Sequence, residues 1–288
     1  MQAIRYEAPG SVDEAVRLMQ ADPGAHVLAG GTDLLVQCRT GVRQPTAFID
    51  VKRIPELMSI ATDTQGLRLG AATPAAAICE HEELRRRWPG LAEAAALIGS
   101  TQIQGRESVG GNLCNASPAA DTPCSLIVSR AECLVVGPQG RRMVAAEQFI
   151  TGPGRNVLAS GEFLAALMLP LPPPSTADAY LRLTPRSEMD IAVVGAAVSV
   201  TLDATGLCTA ARVALAAVAP TPILVPDAAQ ALIGTSMDAT ALDRAAEAAR
   251  VAAKPIDDKR GTVTYRRQVA GVLTKRAAAI ACERARGN

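Results

Sequence analysis

Residues 26–39 read His26-Val27-Leu28-Ala29-Gly30-Gly31-Thr32-Asp33-Leu34-Leu35-Val36-Gln37-Cys38-Arg39. The first four form a short, mainly apolar strand and the paired glycines break it. Thr32 to Arg39 then reads as a helix, with Gly41 as its end signal. The next apolar run, Ala47-Phe48-Ile49-Asp50-Val51, is a second strand, so the stretch predicts a βαβ unit. Just upstream, Ser11-Val12-Asp13-Glu14 is a capping box. Val12, Ala15, Val16 and Met19 recur at helical spacing from it until Pro23-Gly24 stops the helix.

Downstream, residues 57–62 and 67–71 flank Asp63-Thr64-Gln65-Gly66, a hairpin signature, and 74–79 and 91–98 read as helices. Between 100 and 122 the chain carries Gly105, Gly110, Gly111, Asn112, Asn115, Ser117, Pro118 and Asp121. That composition predicts a long irregular loop held between ordered elements, the kind of segment that often carries function. Strands return at 132–136, 141–145 and 163–169, and Pro170-Leu171-Pro172-Pro173-Pro174-Ser175 has the composition of a stiff linker. A domain boundary is placed there: residues 1–175 form one domain in two parts, about 1–55 and 56–175, and residues 176–288 form another. In the second, 179–183, 192–202 and 210–218 predict a three-stranded antiparallel sheet, followed by helices at 226–232, 239–253 and 263–284. The fold class is α+β, and no internal repeat is visible.

A chain of 288 residues can bury a sizeable core. Its 29 Lys+Arg against 28 Asp+Glu leave a net charge of +1, too little field to draw a polyanion or a membrane surface. Three Phe, three Tyr and one Trp offer few platforms for stacking single-stranded bases, so no nucleic-acid partner is expected. No run of 18 uncharged apolar residues occurs, and the start, Met-Gln-Ala-Ile-Arg-Tyr-Glu, meets an acid almost at once. Membrane insertion and a signal peptide are therefore not expected, and the chain reads as cytoplasmic. The seven cysteines, at 38, 79, 114, 124, 133, 208 and 282, are scattered, odd in number and free of any C-x-x-C pair. They read as buried reduced thiols, not as a disulfide framework, a zinc site or cluster ligands. His26 and His81, the only histidines, are too few for a histidine metal site or a Ser-His triad.

Chemistry concentrates at two places. In Leu28-Ala29-Gly30-Gly31-Thr32-Asp33 a strand ends where a helix begins, so successive backbone N–H groups converge on one point, which suits a phosphate. Glycines let a ligand approach the backbone closely, and Thr32 is placed to cap the helix and offer a hydroxyl. The same residues also describe an ordinary tight turn. The second place is Glu107-Ser108-Val109-Gly110-Gly111-Asn112-Leu113-Cys114-Asn115-Ala116-Ser117-Pro118-Ala119-Ala120-Asp121-Thr122. Two Gly-Gly turns suggest two walls of one site, and a pyrophosphate needs donors from more than one direction. Neither G-x-x-x-x-G-K-[ST] nor G-x-G-x-x-G occurs, which speaks against an NTPase and a standard nicotinamide site.

Taken together, Ala29-Gly30-Gly31-Thr32-Asp33-Leu34-Leu35, the run from Ser108 to Asp121, Arg186 to Asp190-Ile191-Ala192, and Arg260-Gly261-Thr262-Val263-Thr264-Tyr265-Arg266 before a final helix resemble the FAD-binding medium subunit of the molybdenum hydroxylases. That family includes xanthine dehydrogenases, carbon monoxide dehydrogenase and N-heterocycle dehydrogenases, and the likeness spans essentially the whole chain. It implies a two-part FAD-binding domain of the PCMH/VAO type followed by a flavoprotein C-terminal domain. It also implies that Leu28, Ala29, Gly30, Gly31, Thr32, Asp33 and Leu34, with Ser108, Gly110, Gly111 and Asn112, wrap the FAD pyrophosphate and ribityl chain. By the same resemblance Ser117 and Asp121 sit close to the cofactor, Asp121 accepting from its hydroxyl groups, and Leu164 packs by the isoalloxazine ring. Arg182 falls where many members carry a Lys beside the flavin's pyrimidine edge, keeping the charge but not the geometry. Gln104 stands where an Arg is common. Thr32-Asp33 resembles the xanthine, aldehyde and N-heterocycle branches more than the carbon monoxide branch.

The resemblance further implies that this chain holds no metal and no catalytic side chain. A small partner would carry [2Fe-2S] clusters and a large one the molybdenum cofactor, in a dimer of heterotrimers. FAD would take electrons from the clusters and pass them to NAD, oxygen or another carrier. Two rival readings stand beside it. A stand-alone flavoprotein oxidase would need a base and an aromatic substrate pocket, which this composition hardly supplies. A flavin-free scaffold subunit would have no use for the paired glycines.

Overall fold

The predicted capping box closes in a shifted form. Ser11 Oγ accepts the N–H of Glu14 at 3.2 Å, while the Glu14 carboxylate reaches back to the N–H of Gly10 at 2.9 Å. The computed structural model describes residues 4–288; Met1, Gln2 and Ala3, where the N-terminal reading begins, lie outside them. The first part comprises β1 (Arg5–Glu7), α1 (Val12–Ala21), β2 (Ala25–Leu28), α2 (Leu34–Arg39) and β3 (Ala47–Asp50). Its three strands are parallel in the order β1-β3-β2, with Ala25 and Arg5 both opposite Ala47. This is the βαβ unit read from the sequence, with β1 added. Val12 and Ala15 of α1 pack against Ala25, Ala47 and Ile49. The helix after the glycines starts at Leu34 and not at Thr32, because the N-cap is Asp33, itself helical at φ −95° and ψ −47° and without a side-chain cap.

A short 3₁₀ turn (Val51–Arg53) leads into α3 (Pro55–Met58), β4 (Ile60–Thr62) and β5 (Gly66–Gly70). The β4–β5 hairpin turns where predicted, with Asp63 Oδ1 accepting the N–H groups of Gln65 and Gly66. Residues 57–59, read as strand, are not: Pro55 opens a helical turn that buries Leu57. Then come α4 (Ala75–Glu80), α5 (Glu82–Arg87), α6 (Pro89–Ala96), α7 (Thr101–Gln104), α8 (Val109–Asn115) and α9 (Thr122–Val128). The segment expected to be an irregular loop thus contains α7 and α8. Gly110 and Gly111 are poor helix formers, yet a Cβ on Gly110 would stand 2.3 Å from the Ala71 carbonyl oxygen. Packing therefore selects glycine inside the helix and overrides its propensity. The second part ends with β6 (Glu132–Gly137), β7 (Gly140–Ala145), α10 (Ala146–Phe149), β8 (Ile150–Gly152), β9 (Arg155–Asn156) and β10 (Phe163–Pro170). Five strands form an antiparallel sheet in the order β4-β5-β10-β6-β7.

Beyond the prolines lie β11 (Thr176–Leu183), β12 (Val194–Leu202), β13 (Cys208–Ala216), β14 (Ile223–Leu224), α11 (Pro226–Leu232), α12 (Ala239–Ala252) and α13 (Val263–Gly287). The sheet is antiparallel with four strands, β11-β12-β13-β14, where the sequence predicted three. The fourth is two residues long and lies between Pro222 and Pro226, so proline confines it to the edge and hides its strand signal. One face of the sheet, with Val198, Val213 and Leu215, is covered by Leu273, Ala277 and Ala281 of α13. The other face, with Tyr180, Ala197, Ala214 and Ala216, meets Ala94 of α6 and Cys124, Ile127 and Val128 of α9. Small residues let the two layers approach closely there, which fixes the C-terminal part against α9, just beyond α8.

All seven cysteines are free, four of them buried. Among the described residues, no cluster of three or more His, Cys, Asp or Glu could hold a metal, and no helix is long and apolar enough to cross a membrane.

Candidate functional site

A cleft of about 550 Å³ opens between the turn after β2 and the helix α8. Leu28, Ala29, Gly30, Gly31, Thr32, Asp33 and Leu34 line one side, Ser108, Gly110, Gly111 and Asn112 the other, and Leu164 also lines it. The two Gly-Gly pairs are thus two walls of one site. Leu164 lies at an irregularity of β10, where the register with β6 slips between Leu164 and Ala166, the kind of bulge that re-aims a side chain.

The four glycines differ in what they make possible. A Cβ on Gly30 would stand 1.9 Å from the Arg106 carbonyl oxygen, so Gly30 lets the turn pack onto the strand of chain leading into α8. Gly31 has φ +75°, which most side chains resist. Gly110 seats α8 on Ala71. Only Gly111 would direct a Cβ away from packed protein, with just Ser108 Oγ near it at 3.0 Å. Its absence leaves the first turn of α8 bare toward the cleft.

Other side chains hold the walls in place. Lys52 Nζ donates to the Ala29 carbonyl and to Asp50 Oδ1, both at 2.7 Å, and Tyr6 donates to Asp50 Oδ2 at 2.5 Å. Burial pushes the Asp50 carboxyl up, but the Lys52 and Tyr6 hydrogen bonds outweigh it and hold the group below the usual carboxylate range. Across the cleft, Asn115 accepts from Gln37 Nε2 at 2.8 Å and donates to Asp33 Oδ2 at 3.2 Å, bracing α2 against α8. Burial raises the Asp33 carboxyl. Ser108 Oγ caps α8 by accepting the Gly111 N–H at 3.1 Å, and Asn112 Oδ1 accepts from Thr122 Oγ1 at 2.7 Å, tying α8 to α9.

Three residues singled out in the sequence lie off the cleft lining. Ser117 Oγ accepts the N–H of Ala119 at 3.3 Å. Asp121 and Arg182 form a buried ion pair at 2.8 Å, and Tyr180 Oη donates to the other Asp121 oxygen at 2.9 Å. Burial raises the Asp121 carboxyl, opposed by Arg182 and Tyr180. The sequence reading gave no role to Lys52, Asp50 or Gln37, and quoted Glu107 only as the head of the second stretch. Glu107 lines the cleft, is 3 % exposed, and neither of its carboxyl oxygens has a partner. Burial, with the negative charges of Asp121 and Asp33, pushes its carboxyl up to about 8.

This arrangement suits a dinucleotide. No protein acceptor among the described residues takes the N–H groups of Gly30, Gly31 and Thr32, and unpaired N–H groups along a cleft are what a pyrophosphate needs. Leu57, Ala71, Ala72 and Leu164 supply an aliphatic surface for a flat ring, and the volume lies in the range of cofactor sites, about 300–1,000 Å³.

The chain matches a family model described as the FAD binding domain in molybdopterin dehydrogenase over residues 2–172, and one described as the CO dehydrogenase flavoprotein C-terminal domain over residues 179–281. It is 33 % identical to the carbon monoxide dehydrogenase medium chain of Afipia carboxidovorans, covering 98 % of this chain and 97 % of that one. It is 30 % identical to the xanthine dehydrogenase FAD-binding subunit of Escherichia coli O157:H7, over 94 % and 93 %. Among solved structures, a carbon monoxide dehydrogenase from Hydrogenophaga pseudoflava that lacks the Mo-pyranopterin moiety superposes with a TM-score of 0.92 at 35 % identity, covering 98 % of each chain. Quinoline 2-oxidoreductase from Pseudomonas putida 86 does so with a TM-score of 0.92 at 27 %, also over 98 % of each. With both domain models in order along the chain, it belongs to the FAD-binding medium subunits of the molybdenum hydroxylases and is the flavin subunit of a molybdenum-containing oxidoreductase complex.

Proposed function

We propose that FAD is held in the cleft between the Gly30-Gly31 turn and α8, and that this chain is the electron exit of its complex. Bound there, FAD supplies the ability to take electrons from the [2Fe-2S] clusters of a small partner subunit and pass them to an external acceptor. The chain's residues bind, orient and shield it. The unpaired N–H groups of Gly30, Gly31 and Thr32 would receive pyrophosphate oxygens, and the missing Cβ of Gly111 lets the ligand meet the backbone of α8. Leu57 and Leu164 would exclude water from the ring. Lys52 and the Asp33-Asn115-Gln37 contacts keep the two walls at a fixed distance. Ser117, Asp121 and Arg182 would act from just outside the lining, with Arg182 working through its pair with Asp121.

Hydroxylation or dehydrogenation of a small molecule belongs to a molybdenum cofactor on a large partner, within a dimer of heterotrimers in the cytoplasm. Substrate choice then lies off this chain. Thr32-Asp33 favours the xanthine, aldehyde or N-heterocycle branches, while relatives with comparable identity serve carbon monoxide dehydrogenase. The observation that carries the proposal is the meeting of both Gly-Gly pairs on one cleft. Of the two histidines that a stand-alone oxidase would draw on, His26 Nδ1 lies 3.2 Å from the Gly24 carbonyl, and His81 Nδ1 accepts the Leu84 N–H as the cap of α5. The test is to isolate the tagged chain from its own cells and measure iron, molybdenum and FAD. A fixed ratio of all three to the chain is predicted. A chain that carries FAD with neither metal would contradict the partner assignment.

A further inference from the structure

We propose that Glu107 is an additional binding residue of the cleft: a carboxylic acid, kept neutral, that donates a hydrogen bond to an acceptor of the bound FAD. The inference rests on the flavin reading and adds a contact to it. Glu107 is 3 % exposed, and both side-chain oxygens are buried without any hydrogen-bond partner. Its main chain is fully engaged, with the N–H donating to Ile103 and the carbonyl accepting from Ala75 at the start of α4 at 3.0 Å. The Gly30 turn packs directly on it, since a Cβ on Gly30 would come within 3.0 Å of the Glu107 Cα. The backbone of Glu107 is therefore held in the cleft wall, with both carboxyl oxygens buried.

The charged surroundings decide its protonation. Asp33 beside α2 and Asp121 beside α9 both add negative charge. Cys79 on α4 is the other titratable neighbour, its thiol raised first by burial and then by Glu107. Arg182 and Tyr180 on β11 face Asp121 and are committed to it. No basic group offsets the burial of Glu107. Burial first, and then the two neighbouring acids, select the protonated acid. A protonated acid is a donor, and a buried donor without an acceptor is costly to the free chain. Bound FAD would supply that acceptor from the cleft that Glu107 lines.

The test is FAD titration of the flavin-free full chain, followed by flavin fluorescence, at several pH values from about 6.5 to 9.5. The wild-type Kd is expected to stay level below the Glu107 ionisation near 8 and then to rise toward ~tenfold per pH unit. Glu107→Gln, which keeps a donor but cannot ionise, should bind within about threefold of wild type at pH 7 and stay level across the range. Glu107→Ala should bind about tenfold more weakly at pH 7. The inference is overturned if wild type and Glu107→Gln lose affinity in parallel, or if Glu107→Ala binds like wild type. A wild-type chain that takes no FAD at any pH would overturn the flavin reading itself, a separate outcome.

Discussion

Arg182 Nη1 stands 2.8 Å from Asp121 Oδ2, with both side chains less than a tenth exposed, and so joins the C-terminal sheet to the start of α9. Removing one partner of a buried pair leaves an uncompensated charge, at a cost of about 3–5 kcal/mol. Arg182→Met is therefore expected to lower the Tm of the flavin-free chain clearly, while Arg182→Met combined with Asp121→Asn recovers much of the loss. Calorimetry of both variants checks this. A single variant as stable as wild type would show that the pair contributes nothing.

The glycines separate folding from binding. Gly30→Ala and Gly110→Ala each drive a Cβ into backbone, at 1.9 and 2.3 Å, and should lose stability with or without FAD, by about 1–3 kcal/mol or more. Gly111→Ala meets only a serine hydroxyl and gains helix propensity of about 0.5–1 kcal/mol. Its thermal midpoint without flavin should match or exceed wild type, while its FAD affinity drops at least ~tenfold. Normal FAD binding by Gly111→Ala would remove α8 from the site.

Lys52 acts on the turn through the Ala29 carbonyl. Lys52→Met should weaken FAD binding several-fold and cost about 1–2 kcal/mol of stability, since it strips a charged hydrogen bond from Asp50 as well. Lys52→Arg is expected to restore part of both. Equilibrium titration beside urea unfolding would reveal whether the two effects travel together; unchanged binding in Lys52→Met would mean the turn holds itself.

Asp178 sets a pH dependence of folding. It is 4 % exposed, and burial pushes its carboxyl from 3.8 up to about 7, with the Gly90 N–H opposing only in part. The folded state then binds the proton more tightly than the unfolded chain. Stability is full below the unfolded value and falls as pH rises through the window from about 4 to 7. Asp178→Asn should flatten this decline, narrowing the difference in unfolding free energy between pH 5 and pH 8, read from urea unfolding, by roughly 1–3 kcal/mol. Glu107 adds a decline of the same sign that extends to about 8. Equal declines in variant and wild type would show that Asp178 is not responsible.

Much of the fold was legible because local and global signals agreed. The Ser11 cap, the Asp63 turn and the helix at Pro226–Leu232 are all written in residues that act on their own neighbours. The helix α8 was not, because its two glycines answer to Ala71 and to the cleft, both distant in sequence. The edge strand at Ile223–Leu224 was too short between prolines to show a period. In the site, twelve residues read from motif and resemblance line one cleft, since glycine pairs advertise close approach. Glu107 stood at the head of the second stretch without a role of its own, and the packing of Gly30 and α4 around it is what shows it buried.

The most direct measurement is the visible absorption spectrum of the purified chain, with chromatography of whatever cofactor acid releases. A yellow protein yielding about one FAD per chain is the predicted result, one nucleotide for the single cleft that both glycine pairs line. A colourless chain that also refuses added FAD would contradict the account.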